Sequence, residues 1–458
     1  MRPLPMPDAT LQRRVLAATA ISYVVVILDT SIVNVALETI ADAFTTGVAG
    51  LQWVVNAYTL AFASLLLTGG ALGDRLGARR IYLAGLAVFT LASALCGAAT
   101  SLPALAAARI LQGVGAAMLV PCSLSLINHA YPDPMQRAGV IGLWAGFGVA
   151  AMAAGPLAGG VLIHLLGWRG IFLVNLPIGL VGLWLAARIG TEAPATPGRH
   201  LDLAGQAAAI IALGLPVAAL IQGPALGWGS PFVLTGLFGS GIAWAVFLWL
   251  ETRRVQPMLP LTFFRGRVFS GSALVSMVSA FTFYGLVFVL SLYLQRIRGF
   301  APLQAGLAFL PLTAAGMVGS LTSGRLVRAC GPRLSITSGF IVYAVGFLGL
   351  LAALSCDATW PAALAMSLIG AAAGFVTPAA TAAMMGTVEK GRSGIAAGVL
   401  NAARQTGAAL GVAVFGALVA GQEAFVSGFQ AALWVAAGMS LSTALIWWIA
   451  LASYKRLP

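Results

Sequence analysis

Fourteen apolar runs, each of about 20 residues or more, take up most of the 458-residue chain and leave short polar turns between them. They fall near 15–37, 51–72, 81–100, 102–128, 138–163, 170–189, 203–223, 231–250, 270–294, 303–324, 334–354, 359–385, 395–420 and 430–452. A helix needs about 20 apolar residues to cross the hydrocarbon of a bilayer. Inside that layer no water can satisfy the backbone, so only helices and closed barrels span it. Runs of this length predict helices. Fourteen of them use roughly 280 residues, and no sizeable soluble domain fits in what remains. Only 8% of the residues are charged, against about 25% in soluble domains. That excludes an ordinary soluble enzyme, and the 60% hydrophobic content excludes intrinsic disorder. The expected fold class is an all-α polytopic membrane protein.

The formal net charge of +13 would point to a nucleic-acid partner only if it were gathered into a stripe. The basic residues instead form small clusters between the runs, so the expected partner is the lipid bilayer and not nucleic acid. With a cytoplasmic N-terminus, twenty basic residues face inward, among them Arg13, Arg14, Arg75, Arg79, Arg80, Arg137, Arg253, Arg254, Arg325, Arg328, Arg333, Lys390 and Arg392. Only Arg169, Arg296 and Arg298 face outward. That asymmetry follows the positive-inside rule and predicts both termini in the cytoplasm. The first run continues through Leu28-Asp29-Thr30 without a small-residue cleavage site, so it reads as a retained span. Cys96, Cys122, Cys330 and Cys356 are scattered, and His129, His164 and His200 form no cluster. Neither a metal site nor a catalytic nucleophile is expected.

A weak internal repeat organises the chain. Gly70, Gly77 and Arg79 recur 254 residues later as Gly324, Gly331 and Arg333, and Gly113 and Pro121 recur after 257 as Gly370 and Pro378. Arg137 and Gly139 recur after 255 as Arg392 and Gly394. The expected organisation is a six-helix bundle over 13–190 and a second over 261–455. Between them, 191–260 holds a Pro-rich linker and two additional transmembrane helices.

A few polar residues stand where hydrocarbon should be. Asp29 is the one carboxylate clearly inside a run, and a charge at that depth costs about 3 kcal/mol on insertion scales, so it is a functional candidate by default. Burial favours the neutral form of a carboxylate, which brings reversible proton uptake within reach. The alternative is an Asp bonded to the hydroxyls of Thr30 or Ser31. Arg109 enters its run to about 10 Å, a depth Asp29 can share. The two can form a relay, or a fixed ion pair between spans one and four. Arg404 lies nine residues into span thirteen beside Asn401 and Gln405, able either to meet a substrate carboxylate or to bond helix carbonyls. Asn34, Trp53, Asn56, Tyr58, Gln112, Tyr284 and Tyr293 are candidates to line a cavity, where such side chains suit amphipathic organic ligands.

Several stretches then resemble one family, the fourteen-spanner drug/proton antiporters of the major facilitator superfamily, over nearly the whole chain. Gly70-Ala71-Leu72-Gly73-Asp74-Arg75-Leu76-Gly77-Ala78-Arg79-Arg80 resembles the superfamily's cytoplasmic loop signature, with Ala78 at one expected basic position. Arg109-Ile110-Leu111-Gln112-Gly113-Val114-Gly115 is similar to the R-x-x-Q-G-x-G of span four, whose arginine is implicated in proton transfer. Ala151, Gly155, Pro156, Gly159 and Gly160 resemble the exporter signature of span five, and Leu28 to Leu37 resembles the subgroup's first span, with Glu38 where a Pro is usual. Trp168 to Pro177 matches as well. The resemblance implies two six-helix bundles plus two extra helices. It also implies a proton-coupled antiporter in the inner membrane that exports hydrophobic or amphipathic drugs by alternating access. It needs no cofactor beyond the proton gradient, and it gives Asp29 and Arg109 the coupling role. Gly70, Asp74, Arg75, Gly77, Arg79, Arg80, Gly155, Pro156 and Gly159 become conformational gating positions. A dedicated transporter of a single metabolite or organic acid is the alternative; a membrane enzyme finds no catalytic cluster.

Overall fold

The computed structural model describes residues 9–190, 202–254, 259, 261–355, 358–388, 393–420 and 425–451. The linker 191–198, Arg2, Arg199, His200, Cys356, Lys390, Arg392, Lys455 and Arg456 lie outside the described residues. The described chain is all helix and turn. In order it runs α1 (Ala9–Phe44), α2 (Val48–Leu76), α3 (Ala78–Ala98), α4 (Leu102–Ala130), α5 (Pro134–Leu166), α6 (Gly170–Leu173), α7 (Asn175–Ala187), α8 (Leu203–Leu226) and α9 (Pro231–Arg253). Then follow α10 (Arg267–Leu292), α11 (Pro302–Ala308), α12 (Leu310–Ala353), α13 (Trp360–Met385), α14 (Ser393–Leu418) and α15 (Phe425–Ala450).

Local chemistry sets the helix ends. Ser101, Asp133, Asp202 and Ser230 each accept a hydrogen bond from the N–H three residues on, which satisfies an otherwise orphaned donor at the start of α4, α5, α8 and α9. Gly77, Gly167 and Gly227 follow α2, α5 and α8 with φ of 99°, 72° and 85°, a region where a side chain would be strained.

Twelve helices among the described residues are long and apolar enough to cross a membrane, where the sequence leads one to expect fourteen. Two places account for the difference. The runs at 303–324 and 334–354 fall in one stretch, Pro302–Ala353, and α14 is not among the twelve. That stretch is not straight: Gly331 adopts φ 74° and ψ 162°, ahead of Pro332, and reverses the chain. The middle of α14 carries Asn401, Arg404 and Gln405.

The repeat read from the sequence has a structural counterpart. Gly77 and Gly331, 254 residues apart, both make positive-φ turns. Two residues beyond each, an arginine caps the last helix of its own half: Arg79 donates to Ala187 O at 2.8 Å, and Arg333 to Trp448 O at 3.1 Å. Gly113 packs on Tyr58 O, and Gly370 on Leu312 O, at equivalent crossings of α4 with α2 and of α13 with α12. Lipid gives apolar side chains no reason to prefer each other, so such backbone-to-backbone contacts carry much of the helix association.

The two halves touch at one end and part at the other. At the end away from the N-terminus, Gly160 of α5 meets Pro302 and Leu303, and Gly306 of α11 meets Pro156. Further back on α5, Gly139, Gly142 and Gly146 have no neighbouring atom within 4 Å of a Cβ position. From Gly160 to Gly146 is about 21 Å of helix, so the gap widens toward the terminus end. On the opposite flank α2 and α14 stay together, with Gly398 packed against Leu67. The α8–α9 hairpin lies over that seam. Val217 and Ile221 of α8 pack against Ala409 and Ala413 of α14 and against Trp53 and Leu60 of α2. Gln206 of α8 donates to Ser64 O at 2.8 Å and accepts from Thr68.

A Cβ on Gly113 would lie 2.5 Å from Tyr58 O and 2.7 Å from Ala61 Cβ. Gly113→Val is therefore expected to destabilise the protein by about 1–3 kcal/mol through overpacking, read as a lower unfolding temperature in detergent. Gly139→Ala, at an open position, is expected to leave that temperature unchanged.

Candidate functional site: a buried charge network beside the seam

Asp29 and Arg109 lie in direct contact, 0% and 1% exposed. Arg109 Nη1 donates to Asp29 Oδ2 and, at 2.9 Å, to Gln112 Oε1, while its Nε donates to Val54 O at 3.1 Å. The guanidinium carbon stands 4.4 Å above the Tyr58 ring and 5.8 Å from that of Phe172, so the cation is held by π faces as well. The other carboxylate oxygen, Oδ1, accepts from Gln112 Nε2 at 3.1 Å and Asn175 Nδ2 at 3.2 Å. Both amides also reach Ser93 Oγ, at 2.8 and 3.4 Å. Cys96 donates to Gln112 Oε1 at 3.1 Å.

Helical spacing builds this cluster. Arg109 and Gln112 are three residues apart on α4, and Ser93 and Cys96 three apart on α3, so each pair shares a face. Gly113, packed on Tyr58 O, brings α4 close enough to α2 for Arg109 to reach Val54 O. Asn175 opens α7 just after the helical break at Val174, which turns its side chain into the bundle at 0% exposure. The hydroxyls beside Asp29 are spent elsewhere: Thr30 donates to Val26 O at 2.9 Å and Ser31 to Met152 O at 3.0 Å. The Asp29 carboxyl group thus faces three donors. Losing one partner of a buried pair costs about 3–5 kcal/mol, so this network is also structural.

The other candidate residues divide into groups. Asn34 of the first half and Tyr284 of the second both line a small cavity of about 20 Å³, with Ser31, Met152, Pro156 and Thr313. That is room for roughly one water. Gly155 and Gly159, beside Pro156, pack on Ser31 and Ile32 of α1. Arg404 is half-buried on α14, within electrostatic reach of Tyr284, and makes no ion pair among the described residues. Gln405 is buried beside it, and Asn401 bonds back to Ala397 O at 3.0 Å. Asn56 is fully buried on α2 with neither amide atom hydrogen-bonded. One turn earlier, Gln52 donates to Val412 O and Ala413 O of α14 at 3.0 and 2.8 Å. Trp53 packs in the α2–α8–α14 seam and is not beside the cavity. Tyr293 stands against Phe429 in the second half, ring centroids 5.1 Å apart.

The residues expected to gate the site fall at its two ends, and a second set of contacts joins the halves. At the closed end α10 continues into a π-helical turn, Tyr293–Ile297. From α10 and this turn, Ser291 donates to Asn34 O at 2.6 Å, Gln295 to Val35 O at 3.1 Å, and Arg296 pairs with Glu38. Glu38 holds the position where the resembled family has a Pro, so this ion pair between the halves comes from that departure. At the open end, the segment from Gly70 to Arg80, the last turns of α2 and the start of α3 around Gly77, packs on α4. Gly70 faces Pro121, a Cβ on Gly73 would lie 2.6 Å from Cys122 Sγ, and half-buried Asp74 is close to Cys122 as well. Arg75 and Arg80 are exposed, and the Arg79 bond to Ala187 runs within the first half, not across to the second. Neither Asn175 nor Ser93 was among the candidate site residues; the available signal was that Asn175 falls in the matching stretch Trp168 to Pro177 and that Ser93 is a hydroxyl in an otherwise apolar run.

Residues 19–412 match the family model of the Major Facilitator Superfamily, and the chain belongs to that superfamily. It is 38% identical over 435 residues to the methylenomycin A resistance protein of Bacillus subtilis (strain 168), covering 94% of this chain and 93% of that one. It is 36% identical over 413 residues to the drug efflux pump JefA of Mycobacterium tuberculosis (strain ATCC 25618 / H37Rv), covering 89% and 80%. Among solved structures the fold is similar to that of an auto-inhibited POT family peptide transporter, at a TM-score of 0.71 and 16% identity over 97% and 98% of the two chains. The protein is accordingly an integral membrane protein of a transporter family rather than an enzyme.

The Glu38–Arg296 pair is about one-fifth exposed on each side, and pairs of that kind are worth about 0.5–1 kcal/mol. Glu38→Gln is expected to loosen the closed end. A cysteine at buried Ser291, in a background without the native cysteines, should react with a membrane-impermeant maleimide about two- to fivefold faster. The charge-swapped E38R/R296E should return the rate toward that of the parent.

Proposed function

We propose that this protein is a proton-coupled antiporter that exports hydrophobic or amphipathic drugs across the cytoplasmic membrane by alternating access. The observation that carries the reading is Asp29: a buried carboxyl group held by Arg109, Gln112 and Asn175 on a helix whose next turn, at Ser31 and Asn34, lines the cavity between the halves. The relatives' names, methylenomycin A resistance and drug efflux, support the class of substrate. In this reading the chain crosses the membrane fourteen times, Pro302–Ala353 counting twice and α14 once. The bundles are 13–190 and 261–455, with the two additional helices in 191–260. Both termini face the cytoplasm, so the clamp at Glu38 and Arg296 shuts the outer side and the cavity opens inward.

A proton reaching Asp29 neutralises the carboxylate and removes the charge that fixes Arg109. The cation still has Val54 O, Gln112 Oε1 and the Tyr58 ring, so the bundle holds together while α1 is freed from the pair. Substrate entering beside Asn34 and Tyr284 favours proton release, and the two loads cross in opposite directions. One proton moving down 100 mV supplies about 2.3 kcal/mol, roughly a 50-fold gradient of a neutral substrate. Arg404, half-buried beside Tyr284 without an ion pair among the described residues, favours a second reading in which the substrate is an organic acid.

Asp29→Asn is expected to lower the unfolding temperature, by the roughly 3–5 kcal/mol of a broken buried pair at most, and to abolish proton flux driven by an efflux probe such as ethidium in proteoliposomes of the folded protein; full coupled flux would overturn the carrier role. Arg404→Gln is expected to change which of anionic, neutral and cationic probes are exported and to leave proton coupling in place. An identical spectrum in cells expressing either form would exclude Arg404 from the binding site.

A further inference from the structure

Every group around Asp29 is a donor. Oδ2 faces Arg109, and Oδ1 faces the NH2 groups of Gln112 and Asn175. The other titratable groups facing it are Tyr58 from α2 and Cys96 from α3, whose hydrogens go to Val26 O and Gln112 Oε1. Helices α6 and α7 carry no titratable residue. That shell suits the anion and offers a protonated carboxyl no acceptor among the groups bonded to it, while a buried O–H without an acceptor costs about 1–3 kcal/mol. A proton carrier needs both forms to be tolerated. Of the three groups that donate to Asp29, the guanidinium has no acceptor and only the two amides can exchange donor for acceptor in place. Gln112 is pinned by four bonds, two from Nε2 and two to Oε1. Asn175 is not: its Oδ1 is fully buried and has no partner.

We infer that Asn175 is a positioning residue whose side-chain amide turns over with the protonation state of Asp29. In the anion Nδ2 donates to Asp29 Oδ1. When a proton binds Oδ1, the amide rotates half a turn, its own Oδ1 accepts the new O–H, and Nδ2 takes the place the oxygen left. The Ser93 hydroxyl, which donates to Phe89 O at 2.9 Å, follows by rotating toward the amide oxygen. The inference rests on the proton-carrying role proposed for Asp29.

The sign of one measurement separates this from its rivals. Infrared titration of the reconstituted protein, with no ligand present, follows the carboxyl C=O band that Asp29→Asn removes. Asn175→Leu takes one of three donors from the anion but the single acceptor from the acid. The proton affinity of the Asp29 site should therefore fall about tenfold, one pH unit. A residue that merely donates to the anion would raise that affinity on removal, and a purely structural one would leave it unchanged; either result overturns the inference. Asn175→Ala should shift in the same direction as Asn175→Leu. In the unmutated protein an amide C=O band of Asn175 should titrate together with the carboxyl band, a readout that needs no altered protein to fold. If no Asp29-dependent band titrates at all, the carrier role itself falls. If it titrates normally and Asn175→Leu does not weaken it, the amide turn alone falls.

Discussion

An ion pair sealed in hydrocarbon is the constraint from which the rest of this molecule follows. Neither Asp29 nor Arg109 could stand alone at that depth, and the pair still needs its remaining lone pairs and hydrogens satisfied. Five separate segments meet that need. Val54 and Tyr58 come from α2, Ser93 and Cys96 from α3, Gln112 from α4, Phe172 from α6 and Asn175 from α7. The first half is therefore fastened through its own charge centre, and any change of charge at Asp29 is felt in every one of these helices. The contact that fastens these helices and the acid proposed to carry the proton are the same atoms.

The second half has no such centre among its described residues. Its interior is held by glycine contacts, such as Gly370 on Leu312 O and Gly407 on Met277 O, and by hydroxyl bonds such as Ser279 with Tyr343 at 3.0 Å. The two halves thus share backbone geometry, down to the positive-φ glycine and the arginine that caps the last helix, but not chemistry. Between them the contacts are of two kinds. The closed end relies on side chains that can let go, Glu38 with Arg296 and Gln295 with Val35 O. The α2–α14 flank is closely packed and covered by α8, whose Gln206 and Val217 tie into both sides of the seam. The α5 side is thus the loosely packed one at the terminus end, and the flank that α8 covers is the tight one.

Much of the fold could be read from the runs and the repeat, because helix length and apolarity are what a bilayer selects. The equivalence of Gly77 with Gly331 was visible as spacing alone, and it appears as matching turns. The span count was harder: Pro302–Ala353 and α14 show that hydropathy and length do not by themselves divide one long helical stretch or admit a helix carrying Arg404. Within the site, Asp29, Arg109 and Gln112 stood out because a charge or amide in an apolar run demands a reason. Trp53 did not follow, since an aromatic serves a seam as well as a cavity. Asn175 lay inside the matching stretch Trp168 to Pro177 without a role of its own, because one amide in a run carries little signal until its neighbours are known.

The sequence by itself determined that the chain is helical and membrane-spanning, that it is internally duplicated, and that it keeps one acid and one arginine at a shared depth. These follow from composition and periodicity, which act along a single helix. Which oxygen meets which donor was decided only by tertiary structure, as was the pairing of Glu38 with Arg296 and the lone unpartnered oxygen of Asn175. Such contacts join residues 80 to 258 positions apart, and nothing in a local pattern fixes the rotation and height at which two helices meet.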